Sequence, residues 1–279
     1  MIAGPERLVL LGHPVAHSLS PIFQNAALRF MKLSVAYEAV DVSAEAFRET
    51  VDRLTIENVA GNVTIPHKER MAAHCKRLTA NARRAAAVNT FWVDDDGVLA
   101  GDCTDVGGFN ALACEVLGAV PRGASVALLG AGGAASAVLT ALEHWEGCSV
   151  TLWNRSPQRA EALATRFSIV TGIASSAEDA VQHASVVVNA TSIGLLDSLH
   201  PIPLEVLQSS AVAIDLVYRS GGTAWVRAAR ERGFQASDGL SMLLEQGALA
   251  FERWFGIPAP RAVMREALVR LPAAHDHGQ

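Results

Sequence analysis

Ser125-Val126-Ala127-Leu128-Leu129-Gly130-Ala131-Gly132-Gly133-Ala134-Ala135 is the stretch that decides the fold of this chain. Its first five residues form a near-continuous apolar run, the pattern of a strand whose two faces are both covered. The run passes straight into a glycine turn and then into small helix-compatible residues. Gly130, Gly132 and Ala135 keep the spacing G-x-G-x-x-G/A. The first glycine permits the tight turn and the second lets backbone approach a pyrophosphate. The third position needs a small residue where helix meets strand. The helix N-terminus then offers N–H donors and a positive dipole to phosphate. Strand, turn and helix in this order predict a dinucleotide-binding unit, with Gly130, Ala131, Gly132, Gly133 and Ala134 against the cofactor.

The next strand predicts which cofactor. Sites for NAD carry an acidic residue roughly 20 positions beyond the glycines, where it accepts bonds from ribose hydroxyls. This chain has Asn154-Arg155-Ser156 there and no carboxylate. Ser156 and Pro157 read as the cap and first residue of a helix, so Arg155 and Arg159 flank a helix N-terminus. That dipole disfavours cations. Two arginines at this place are either solvated or await an anion, and a guanidinium can grip the adenosine 2′-phosphate in a bidentate manner. The expected cofactor is NADP, held by Asn154, Arg155, Ser156 and Arg159.

Outward from this core, short β-like runs alternate with helical patterns, which predicts an α/β protein with largely parallel sheets. Before the dinucleotide unit the expected elements are a strand at Arg7–Leu11, a helix over about Pro21–Met31 and a strand at Val35–Val40. A helix at Phe47–Leu54 and a strand at Asn62–Ile65 follow. Val88–Val93 and Val98–Gly101 read as a hairpin turning at Asp95-Asp96-Gly97, and Asp105–Leu117 reads as a helix leading to a linker at Pro121-Arg122-Gly123. Later strands are expected at Ser149–Trp153, Ser185–Asn189 and Val212–Val217, and a helix at Ser241–Trp254.

Composition bounds the function. A length of 279 residues predicts two domains, and half of the residues are hydrophobic, enough for sizeable cores. A net charge of −5 argues against a nucleic-acid or anionic-membrane partner. Cys75, Cys103, Cys114 and Cys148 show neither CxxC pairing nor a metal-ligand rhythm, so they read as reduced thiols of a cytoplasmic protein. The nine histidines are scattered, with His275 and His277 in a polar tail, and no metal is expected. No signal peptide is apparent, and no apolar run reaches the roughly 18 residues of a membrane span.

The chemistry is expected ahead of the glycine turn, at Gly61-Asn62-Val63-Thr64-Ile65-Pro66-His67-Lys68. Pro66 suits the first position of a helix, which puts Lys68 in the first turn. A cation there loses roughly 0.3–1 kcal/mol to the helix dipole. A lysine kept in such a place meets an anion or takes part in proton transfer. Taken alone, Lys68 would be a solvated helix-face charge and Asp105 a helix cap. Ser20 would cap the helix opening at Pro21, and Thr64 the helix of Lys68.

The pattern G-x-N-V-T-x-P-x-K resembles the lysine motif of shikimate dehydrogenases. Gly12-His13-Pro14-Val15-Ala16-His17-Ser18-Leu19-Ser20-Pro21, Ala87-Val88-Asn89-Thr90 and Gly101-Asp102-Cys103-Thr104-Asp105 resemble further motifs of that family. So do Asn189-Ala190-Thr191-Ser192, Asp238-Gly239-Leu240-Ser241-Met242 and Gln246-Gly247-Ala248, which extend the likeness over nearly the whole chain.

The resemblance implies an N-terminal α/β domain over residues 1–106 with a mostly parallel mixed sheet for substrate. It implies a Rossmann domain over 107–239 for NADP, and C-terminal helices over 240–279 that pack back on the first domain, with the active site in the cleft. It implies reversible reduction of 3-dehydroshikimate to shikimate, Lys68 and Asp105 forming the proton-transfer pair. Ser18 and Ser20 would bind the substrate carboxylate, Thr64 and Asn89 its hydroxyls; Gln246 would reach the substrate from the C-terminal helix, and Asn62 would lie near it. Tyr218 would lie near the nicotinamide end, and Thr191 and Gly239 beside the cofactor. The partner is thus a small molecule, and the protein is expected to be a monomer or homodimer. Three departures stand out: Gln24 for a common histidine, Cys103 for the usual asparagine, and Arg219-Ser220-Gly221-Gly222 without the usual proline. The rival readings are a quinate or aminoshikimate dehydrogenase of the same superfamily, and a non-catalytic paralogue that senses a nucleotide or metabolite.

Overall fold

The computed structural model describes residues 5–119, 121–219 and 221–270; Ser220, His275 and His277 lie outside them. Two compact units form, one from residues 5–108 with 243–270 and the other from residues 109–242. The first opens with β1 (Arg7–Gly12), α1 (Ser20–Phe30), β2 (Tyr37–Asp41), α2 (Phe47–Ile56) and β3 (Val59–Val63). It continues through α3 (Lys68–His74), β4 (Arg77–Leu78), α4 (Ala80–Ala85), β5 (Thr90–Val93) and β6 (Leu99–Asp102). Its six-stranded sheet has the order β2-β1-β3-β5-β6-β4. β1 pairs parallel with β2 and β3, and β4 with β6, while β5 runs antiparallel to both β3 and β6. The sheet is therefore mixed, as expected.

α5 (Asp105–Leu117) follows and has the predicted ends. Next come β7 (Ser125–Leu129), α6 (Gly133–Leu142), β8 (Ser149–Trp153), α7 (Pro157–Ala164), β9 (Val170–Ile173), α8 (Ala177–Val181) and β10 (Val186–Asn189). β11 (Val212–Asp215), α9 (Ala224–Glu231) and β12 (Gln235–Ser237) complete the second sheet, and α10 (Leu240–Phe255) and α11 (Arg261–Val269) end the described chain.

The second sheet is wholly parallel, in the order β12-β11-β10-β7-β8-β9. Read from β9, this is third, second, first, fourth, fifth, sixth, the doubly wound Rossmann order that reverses between β7 and β10. Ligands of such sheets bind outside the carboxyl ends of the strands at that reversal. Both neighbours end there in motif residues, Gly130–Gly133 after β7 and Asn189–Thr191 at the end of β10. Leu128, Leu129, Val187 and Val188 are fully buried, which explains the near-continuous apolar reading of β7. Truncating such a leucine to alanine costs about 2–5 kcal/mol. α6 is buried from Ala135 through Leu142. Its interior Thr140 satisfies itself by donating to the Ser136 carbonyl at 2.8 Å.

Three local expectations are corrected. Pro66 does not open α3; the helix starts at Lys68 after His67. The His67 amide donates to the Thr64 carbonyl at 2.9 Å, closing a turn that takes up Pro66. For the same reason the Thr64 side chain does not cap α3. Ser20 is the first residue of α1 rather than its cap, and Leu19 precedes it without a side-chain bond.

Candidate active site

α3 and α5 supply the charged pair. Lys68 is the first residue of α3 and Asp105 the first of α5. Lys68 Nζ donates to Asp105 Oδ2 at 2.7 Å, across 37 residues of sequence, with the lysine side chain 16% and the aspartate side chain 6% exposed. Asp105 at an N-terminus sits where the dipole favours a carboxylate. Lys68 sits where it does not, and the carboxylate opposite supplies the compensating charge. The pair is held nearly dry, which strengthens its attraction relative to a surface pair.

A buried amide network fixes the carboxylate. Asn89 Nδ2 faces three acceptors: Thr104 Oγ1 at 2.9 Å, Asp105 Oδ1 at 3.1 Å and Gln246 Oε1 at 2.9 Å. An amide nitrogen has two hydrogens, so the three compete. Asn89 Oδ1 accepts the Thr104 amide at 2.7 Å. Thr104 Oγ1 lies 3.0 Å from Thr90 Oγ1, which accepts from Asn62 Nδ2 at 2.9 Å. Asn62 also donates to the Asn89 carbonyl at 3.0 Å and accepts the Tyr37 hydroxyl at 2.8 Å. Asn62 thus lies in the cluster, but both its amide donors and its oxygen already have protein partners. Thr90, Thr104 and Tyr37 were not singled out by sequence; the one available signal was that Thr90 follows Asn89 and Thr104 precedes Asp105.

Ser18 comes from the loop between β1 and α1, and Ser20 opens α1. Ser18 Oγ accepts the Ser20 amide at 3.3 Å. Ser20 is buried, and its hydroxyl makes no hydrogen bond to the described residues. Thr64 is half-buried, its amide bound to the Leu11 carbonyl at 2.8 Å. Gln246, on α10, is buried, and its Nε2 donates to the Leu243 carbonyl at 2.8 Å.

In the second unit, Gly130 has φ +116°, closed to other residues without strain, and a Cβ there would lie 2.8 Å from the Ala190 carbonyl oxygen. Gly132 precedes α6, and nothing lies within 4 Å of where its Cβ would be. The first turn of α6 carries no acidic residue. The backbone is therefore bare where a pyrophosphate would approach. Asn154 Nδ2 donates to the Ser156 carbonyl at 2.9 Å, and Ser156 and Pro157 open α7 as predicted, although the serine makes no side-chain cap bond. Arg155 is exposed and in no ion pair with the described residues, and Arg159 is exposed too. These residues fit a phosphorylated dinucleotide.

The far side of that turn is braced by one carboxylate. Asp215, fully buried, accepts Asn189 Nδ2 at 2.8 Å, the Val217 amide at 3.0 Å and Thr223 Oγ1 at 2.8 Å. Burial pushes its carboxyl up to about 6, against the three hydrogen bonds. Asn189 Oδ1 in turn accepts the amide and hydroxyl of Thr191 at 3.1 and 2.7 Å. Gly239 donates its amide to the Val217 carbonyl at 3.0 Å, and a Cβ there would overlap Leu216 backbone. Tyr218, between them, is half-buried.

Residues 10–91 match the family model of the shikimate dehydrogenase substrate binding domain. Residues 112–196 match that of shikimate / quinate 5-dehydrogenase, and residues 239–269 that of the shikimate 5′-dehydrogenase C-terminal domain. A shikimate dehydrogenase (NADP(+)) of Thermus thermophilus is 41% identical over 265 residues, covering 95% of this chain and 98% of that protein. This chain belongs to the shikimate dehydrogenase family. Shikimate dehydrogenase of Aquifex aeolicus superposes with a TM-score of 0.87 at 33% identity, covering 96% of this chain and 99% of that one. Shikimate 5-dehydrogenase from a second strain of Thermus thermophilus, solved in complex with NADP(H) and shikimate, gives 0.82 at 39% identity, covering 94% and 97%.

Two of the departures from the family pattern are inside the first unit. Cys103 is fully buried, and burial first, then the Asp105 charge, push its thiol well above the ordinary range. Its backbone amide donates to Asp102 Oδ1 at 2.8 Å, so the strand end is held without an asparagine side chain. Gln24 is fully buried and donates to the Gly247 carbonyl at 2.8 Å. Among the described residues no three His, Cys, Asp or Glu side chains gather as a metal site, and no helix is long and apolar enough to cross a membrane.

Proposed function

We propose that this chain catalyses the reversible, NADP-dependent reduction of 3-dehydroshikimate to shikimate. The observation that carries the reading is the nearly dry 2.7 Å pair of Lys68 and Asp105, held within the Asn89 and Gln246 network. It is joined by the family membership and by relatives whose names give NADP(+) as cofactor. Residues 1–106 would serve substrate, 107–239 cofactor, and 240–279 would return to the first part. The setting would be the cytoplasm, with the protein a monomer or homodimer.

The turn from Gly130 to Ala134 would hold NADPH, with Arg155 and Arg159 on its 2′-phosphate, and the bound cofactor would supply the hydride. Negative charge then grows on the carbonyl oxygen, which needs a proton donor within about 3 Å. Lys68 Nζ gives that proton. Asp105 Oδ2 holds the ammonium in line, and Asp105 Oδ1 is itself held by Asn89, so little reorganisation accompanies the step. In the reverse direction Lys68 Nζ takes the alcohol proton. Ser18 and Ser20 receive the substrate carboxylate. Asn89, Thr64 and Gln246 meet the ring hydroxyls, and Asn62 contributes chiefly by holding Asn89 and Thr90. Asn154 and Ser156 hold the phosphate loop, Thr191 and Gly239 the loops beside the cofactor, and Tyr218 faces the nicotinamide end.

The family model for residues 112–196 covers quinate as well as shikimate, which keeps a quinate-using dehydrogenase as the second reading. Turnover of shikimate and quinate, each with NADP and with NAD, separates the two. Reduction of NADP by shikimate is expected; turnover confined to quinate with NAD overturns the first reading. A sensor without chemistry would show no turnover in any arm.

A further inference from the structure

Gln24 has a buried polar atom that nothing in the described protein satisfies. It lies on α1, one turn beyond Ser20, with no exposed surface. Its Nε2 donates to the Gly247 carbonyl at 2.8 Å, across 223 residues of sequence. Its Oε1 has no partner. An unpaired buried acceptor weakens a fold, so a position needed only for packing is better filled by leucine or methionine. The hydrogen bond made by the other end of the same amide is what this glutamine adds.

That bond lands beside Gln246. Gly247 is the next residue of α10, and a Cβ there would sit 2.6 Å from Phe23 Cζ. The Phe23 ring and the Gln24 amide of α1 therefore pack directly on the backbone of α10 at Gly247. Glycine inside a helix is unfavourable relative to alanine, and here close approach accounts for it. Two residues further along α10, Leu249 Cδ1 would lie 2.5 Å from a Cβ on Gly107 of α5, the helix that begins with Asp105. α10 is thus seated on the helix of Ser20 and on the helix of Asp105, and Gln246 stands at those seats with its Oε1 on Asn89.

We propose that Gln24 is a positioning residue: through the Gly247 carbonyl it sets the rotation of α10 and so the reach of the Gln246 amide toward bound substrate. The inference rests on the reading of Gln246 as a substrate contact. It assigns no direct contact with substrate to Gln24, which has no surface to offer. Small misplacements of a contacting group lower activity without unfolding the protein.

The test is a cycle of Gln24→Met, Gln246→Ala and the double variant, read as KM for shikimate, kcat, KM for NADP and melting temperature. Methionine keeps length and volume and removes both the donor and the orphaned acceptor. Gln24→Met is expected to raise the shikimate KM roughly three- to tenfold, the scale of one neutral hydrogen bond. The NADP KM and kcat should stay at wild-type values, and the melting temperature should hold or rise. In the Gln246→Ala background Gln24→Met should add nothing. A silent Gln24→Met, or one that multiplies KM equally in both backgrounds, overturns the inference while leaving Gln246 in place. A Gln246→Ala variant with unchanged KM removes the reading of Gln246, and the inference with it. Gln24→Leu carries the same expectations should the methionine variant fail to accumulate.

Discussion

The two units prepare for their ligands in opposite ways. In the first, the groups proposed to react already hold one another: Lys68 on Asp105, Asp105 on Asn89, and Asn89 on Thr104 and Gln246. In the second, the loops proposed to meet the cofactor are left bare, with Gly132 open to space and Arg155 exposed without an ion pair to the described residues. A site that must place a proton to within a fraction of an ångström benefits from pre-set dipoles. A site that must grip a pyrophosphate needs free N–H groups and cations instead. Its bracing, the Asn189–Asp215 clasp, is set behind the loop.

The contrast can be broken most sharply at Lys68. Lys68→Ala is expected to lower turnover roughly a hundred- to ten-thousandfold, while NADPH binding, followed by fluorescence titration, stays near wild type. Unchanged turnover would remove Lys68 from the mechanism and reduce the pair to a structural bridge. The second unit should answer differently. Arg155→Ala should raise the KM for NADP about ten- to a hundredfold, the scale of a lost hydrogen bond to a charged group, and leave kcat and the melting temperature alone. Equal effects on NAD and NADP would mean that Arg155 does not meet the 2′-phosphate.

A further test is on stability rather than turnover, at Asp215. Its folded carboxyl titrates near 6, above the ordinary aspartate value of 3.8, because of burial. Between these values the folded state binds the proton more tightly, so this group's contribution is full below about 4 and is lost as pH rises through 6. Across that window wild type should lose up to about 2–3 kcal/mol relative to Asp215→Asn, read from denaturant midpoints at several pH values. Parallel curves for the two proteins would show that Asp215 does not titrate there.

How much of this was legible in the sequence also divides along the same line. Backbone demands leave a mark in spacing, so Ser125–Leu129 and the glycine turn were readable to the residue, as were both ends of α5. β4, β9, β12, α4, α8 and α9 were not singled out. They are two to eight residues long, and such short segments owe their form to pairing and packing rather than to local pattern. Side-chain commitments leave no periodic mark. Asn62 reads as facing substrate from its motif, yet β3 is buried at all five residues, and alternation cannot distinguish a face that meets ligand from one that meets Tyr37. The hydroxyl caps expected at Ser20 and Thr64 failed because backbone turns closed both helix entries first. The motif residues Lys68, Asp105, Asn89 and Gln246 do lie in one hydrogen-bonded cluster. What sequence alone did not supply is the threonines and the tyrosine that connect its members.

The burial of Cys103 has a practical consequence for labelling chemistry. A thiol with no surface, disfavoured as a thiolate by burial and by Asp105, is closed to alkylating reagents. Cys75 is buried and pushed up to about 12, and Cys148, half-covered, to about 11. Cys114 on α5 is the exposed cysteine. A maleimide dye applied to the native protein should therefore attach at one place, nine residues along the helix that begins with Asp105, and report on that helix with the cysteine nearest the chemistry left untouched.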